Sequence, residues 1–122
     1  MKSKLSIISA IVFAACNNPE NNVLVKGTYI TTYQSEFSKA MDTVEIRPLN
    51  EAANTFSYTR RTGYQRISNG IVGPYQYETE NSTCVFNKAT AQLNEQKHGR
   101  IYTFSSDGNS LVSGGSVYKR IQ

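Results

Sequence analysis

The sequence predicts an all-β protein: a small antiparallel up-and-down β-barrel, or a strongly curled meander sheet, following an N-terminal signal segment. Three observations carry this expectation. From Lys26 onward, β-branched and aromatic runs alternate with turn signals about every ten residues. Eight Tyr, five Phe and no Trp, together with many Thr and Val, suit a pleated, half-buried surface. No stretch between turns is long enough for a crossover helix, so sequence neighbours should pair antiparallel. An open sheet would leave two unpaired edges, and closure removes them. The strand after Gly27 is therefore expected to meet the final one, ending at Ile121. A two-sheet sandwich is the runner-up.

Each element has its own local signal. Gly27 to Tyr33 is a β-branched and aromatic opening run. Ser35 to Met41 can hold one helical turn capped by Ser35. Thr43 to Arg47 alternates, with Val44 and Ile46 inward, and Pro48 ends free pairing. Glu51 to Thr55 reads as a loop, Thr55 to Thr59 alternates again, and Gly63 marks a bulge before Tyr64 to Ile67. Asn69-Gly70 is the strongest hairpin signal, because both residues tolerate the positive φ of a tight turn.

Gly73-Pro74 is a second break. In Tyr75 to Glu80 the tyrosines share one face and the glutamates the other. Thr83 to Phe86 and Ala89 to Asn94 flank a turn at Asn87-Lys88. His98-Gly99, Asp107-Gly108 and Gly114-Gly115 then separate the last strands.

The N-terminus follows a different logic. Lys2 and Lys4 precede Leu5 to Ala15, an apolar run broken only by Ser6 and Ser9. That run is too short to span a bilayer, which needs about 20 residues, and it suits a signal peptide. Phe13-Ala14-Ala15-Cys16 resembles the lipobox of bacterial lipoproteins. The resemblance implies cleavage after residue 15, a diacylglycerol thioether on Cys16 and further N-terminal acylation. Two or more acyl chains give stable anchoring at about 0.8 kcal/mol per buried CH₂. Residues 16–25, rich in asparagine, read as a flexible tether, and residues 26–122 as the folded domain.

That domain resembles short lipocalin-like lipoproteins of bacterial envelopes. The likeness rests on Gly27-Thr28-Tyr29, on Arg61-Thr62-Gly63-Tyr64-Gln65-Arg66-Ile67 and on the closing Tyr118-Lys119-Arg120-Ile121. It implies a barrel in the cell envelope, here expected on the outer membrane facing the periplasm.

Chemistry is sparse. The formal net charge of +4 owes half its value to Lys2 and Lys4, so it argues little for nucleic acid. With Cys16 acylated, Cys84 has no intramolecular disulfide partner, and its alternation with Phe86 points it into the core. Arg60 and Arg61 fall on opposite faces. They are expected to be solvated or stacked on aromatics, although one arginine could face the interior and pair with a buried acid or meet an anionic ligand. Glu78 and Glu80 share a face without further ligands, and His98 sits in a turn. No G-x-S-x-G, CxxC, HExxH or phosphate-cradling loop occurs.

The expectation is accordingly a non-enzymatic, membrane-anchored binding module without metal or cofactor. Its ligand would be small and apolar or amphipathic, held by Tyr58, Arg60, Tyr64, Arg66, Tyr75, Tyr77 and Tyr102. The alternative is an envelope accessory protein acting through protein–protein contacts.

Overall fold

A computed structural model describes residues 25–122. The signal segment, Cys16 and most of the tether lie outside the described residues. Val25, placed with the tether by sequence, is buried, and its carbonyl accepts a hydrogen bond from the Tyr29 hydroxyl at 3.0 Å.

Eight strands form a closed antiparallel barrel in sequence order. They are β1 (Gly27–Gln34), β2 (Ser38–Asn50), β3 (Thr55–Ser68), β4 (Ile71–Asn87), β5 (Gln92–Glu95), β6 (Ile101–Phe104), β7 (Ser110–Ser113) and β8 (Ser116–Arg120). The expected closure is present: Tyr29 pairs with Arg120 and Ile30 with Lys119. Arg120 fixes the seam. Its guanidinium donates to the Lys26 carbonyl at 2.8 Å, to the Gly108 carbonyl at 3.2 Å and to the Tyr29 hydroxyl at 2.6 Å. It also lies over the Tyr29 ring at 4.8 Å.

Strand length divides the molecule. β2, β3 and β4 have 13, 14 and 17 residues, whereas β5 to β8 have only four or five. The long strands therefore project past the barrel as a three-stranded ribbon, ending in the Asn69-Gly70 turn (φ 53° and 77°). The barrel itself is filled. Tyr29, Val44, Ile46, Tyr58, Cys84, Leu93, Tyr102 and Leu111 are fully buried at its centre. Eight strands leave an interior just wide enough for such side chains.

Several local expectations are corrected. Ser35 to Met41 holds no helical turn: the Ser35 hydroxyl accepts from the Phe37 and Ser38 N–H groups, and β2 begins at Ser38. A 3₁₀ turn spans Glu51–Ala53 where a loop was expected. Gly63 is in regular register between Met41 and Tyr77, and the irregularity falls later, between Gln65 and Ile67. Gly73-Pro74 does not break β4: the two residues form a bulge opposite the single Arg66 of β3, where the proline owes the ladder no N–H. Pro48 likewise lies inside β2, next to a register shift.

Candidate functional site

The seven residues expected to bind ligand divide between the two faces of the sheet. Tyr58, Arg60, Tyr64 and Arg66 share the inner face of β3 at even positions, with Thr62 between Arg60 and Tyr64. Tyr102 meets them from β6. Tyr75 and Tyr77 lie on the outer face of β4.

The deep pair is closed to ligands. Tyr58 and Tyr102 are fully buried, their hydroxyls 2.5 Å apart and their rings tilted at 47°. Burial raises both phenols above their ordinary pKa, Tyr102 by far, and the Tyr58 bond adds to the rise at Tyr102. Neither can serve as a base near neutral pH.

Above them a chain of charges closes the barrel mouth. Asp42 on β2 is almost fully buried and accepts from Arg60 Nη2 at 2.8 Å, Arg60 Nε at 3.2 Å, the Tyr118 hydroxyl at 3.1 Å and the Thr62 hydroxyl. Arg60 also reaches Glu80 at 3.1 Å, and Glu80 holds Arg100 at 2.8 Å. Burial alone would lower the Arg60 pKa, but the Asp42 contact outweighs it and the pKa rises. The Arg100 hydrogen bond holds the Glu80 carboxyl below its usual range. Of the two adjacent arginines, Arg60 thus pairs with a buried acid inside, while Arg61 reaches Glu45 outside at 3.2 Å.

Glu95 ends this cluster and was not singled out by sequence reasoning. Its side chain is fully buried and its carboxylate accepts from the N–H groups of Lys97 at 2.8 Å, His98 at 3.0 Å and Arg100 at 3.4 Å. Burial pushes its pKa up, but the Ser82 hydroxyl and these backbone donors prevail and bring it to about 2. His98 Nδ1 lies 3.3 Å from Glu80 and 3.4 Å from Glu95, so the turn histidine caps the network. Among the described residues, no buried side-chain nitrogen or oxygen lacks a hydrogen-bond partner. Nothing polar in this interior points at an absent ligand.

Tyr64 and Arg66 stand beyond the plug on the ribbon, with the Arg66 guanidinium 5.9 Å from the Tyr64 ring. Glu78 shares their face but is exposed, apart from the partnered Glu80.

The outer face is different. Tyr75 and Tyr77 are 62% and 75% exposed, yet their rings are ordered against each other, 5.9 Å apart and 15° from parallel. Gly63 makes this possible: a Cβ there would come within 3.2 Å of the Tyr77 ring, so the missing side chain leaves the ring its seat. The tyrosines border an open groove of about 780 Å³, which Met41, Gln65, Lys39 and Arg61 also line. Its apolar walls and cationic groups suit a flat, amphipathic, anionic molecule. Met41, Lys39 and Gln65 were missed by sequence reasoning, because they enter only through the register Lys39–Gln65–Tyr75 and Met41–Gly63–Tyr77 across three strands.

No protein-family model, curated protein or solved structure matches the chain.

Proposed function

We propose that this chain is a lipid-anchored protein of the bacterial envelope, held to the outer membrane through Cys16 on its periplasmic side. In this reading it works by binding an amphipathic ligand rather than by catalysis. Because the interior is filled, this reading rests on the outer groove, which keeps Tyr75 and Tyr77 of the expected residues. The observation that carries the reading is the stacked, solvent-facing Tyr75–Tyr77 pair over Gly63. Exposed aromatic rings in a defined arrangement offer contact area at little cost in side-chain entropy. Lys39 and Arg61 select a negatively charged head.

The test is titration of the full chain with 8-anilinonaphthalene-1-sulfonate and with laurate, each an apolar body bearing one anionic group. Tyr77→Ala should weaken binding by about tenfold, the order expected for one aromatic contact, and Lys39→Gln should reduce it further. Equal affinity in wild type and Tyr77→Ala would refute the site. Mass spectrometry of the N-terminal peptide tests the anchor separately: an unmodified residue 16, or a retained leader, refutes it.

A second reading has its own support. Phe37 and Ile71 are about 70% exposed, and the Phe37 carbonyl accepts from the Ile67 N–H at 2.8 Å, which sets the two hairpin tips side by side. This apolar end favours contact with another envelope protein.

A further inference from the structure

The β4 strand keeps a free edge along the ribbon. β5 pairs only with Cys84 to Asn87, and the loop after β5 covers the next turn of the strand through the Gln96 N–H, which donates to the Thr83 carbonyl at 2.9 Å. In an antiparallel ladder, alternate residues turn both backbone groups to the same side. Since Thr83 faces away from β3, so do Thr79, Tyr77 and Tyr75. Among the described residues no strand lies beside them. Their N–H and C=O groups form a row available to another strand.

We propose that this edge pairs with the same edge of a second copy of the chain, antiparallel about a two-fold axis at Tyr77. Charge narrows the register. With the axis at Glu78 or at Thr79, glutamates would stand directly opposite each other, Glu78 against Glu78 or Glu78 against Glu80. With the axis at Tyr77, Gln76 of each copy faces Glu78 of the other, an amide donating to a carboxylate. Tyr75 faces Thr79, and Tyr77 faces its equivalent. The edge-facing residues then exchange main-chain hydrogen bonds, and the stacked tyrosines of both copies meet on one outer face. The isologous contact closes on itself and leaves no edge to propagate. This inference does not depend on the groove binding a ligand.

Sedimentation equilibrium on the full chain in detergent tests the pairing and its register. Wild type should dimerise. Gln76→Glu places two like-charged pairs across the axis and should weaken association by about tenfold, whereas Gln76→Lys should preserve or tighten it. Both substitutions lie on an exposed position and leave the barrel core untouched. Disulfide trapping in envelope membranes gives an independent readout: Tyr77→Cys should yield a covalent dimer, and Thr79→Cys and Val117→Cys should match wild type. A monomeric wild type, equal association in both Gln76 variants, or cross-linking no greater at 77 than at 117 would overturn the proposal. Pairing of the edge with the chain's own N-terminal segment would appear as such a monomer.

Discussion

Replacing Glu95 by Gln tests whether the buried carboxylate works as an anion bound by backbone N–H groups. Both carboxylate oxygens accept: Oε1 from His98 and Arg100, Oε2 from Lys97 and His98. An amide has one acceptor, so in either orientation its NH₂ is driven against backbone donors. The magnitude follows from linkage. A carboxyl lowered from 4.5 to about 2 on folding contributes on the order of 3 kcal/mol when ionised. The side chain is fully buried, so solvent screening takes little from that figure.

The sign is that of a depressed acid. The contribution is complete above the unfolded pKa of 4.5 and is lost as pH falls through the folded value near 2. Urea unfolding of wild type and Glu95→Gln between pH 7 and pH 2 should show a gap of about 3 kcal/mol at neutrality. Below pH 4.5 the gap should narrow by at most about 1.4 kcal/mol per pH unit. A gap independent of pH across this range, or one below about 0.5 kcal/mol at pH 7, would refute the reasoning.

Two further outcomes follow from the interior. Arg60→Met leaves Asp42 buried beside the Tyr118 and Thr62 hydroxyls but without its cation, and should cost about 3 kcal/mol in denaturant unfolding at pH 7; a loss under about 1 kcal/mol would mean the pair is neutral. Burial, aided by the nearby Glu95 charge, pushes the Cys84 thiol up to about 12. Peptide mapping should find residue 84 unmodified by iodoacetamide at pH 8 in the native protein and modified in denaturant; rapid native labelling would contradict its placement.

What the sequence could disclose was local. Asn69-Gly70 needs only its own φ preference to announce a turn, and alternation alone set the tyrosines of Tyr75 to Glu80 apart from the glutamates. It also separated Arg60 from Arg61 and turned Cys84 inward. Continuity of the long strands was hidden, because Gly63 and Gly73-Pro74 carry the signature of breaks. Each is tolerated for a tertiary reason: a tyrosine ring occupies the space over Gly63, and the proline falls in the bulge opposite Arg66. The charged plug was hidden for a related reason. A carboxylate such as Asp42 or Glu95 reads as surface until its partners are known, and the Arg60 that neutralises Asp42 comes from the next strand. For Glu95 the partners are backbone N–H groups, which every sequence contains. The groove combined both cases: its tyrosines were visible, while its cations and floor depend on inter-strand register.

The Arg120 seam bears on how the polypeptide acquires its shape. Every other pairing joins consecutive strands through a short turn, so most of the sheet can grow by zipping, with little loop entropy to overcome at each step. Only the junction of Tyr29 with Arg120 brings together the two extremes of the domain, and it waits for the last residues to emerge. Contacts of such large sequence separation form late and are among the first to open. Until that junction forms, β1 and β8 are unpaired edges and the core between them stays uncovered.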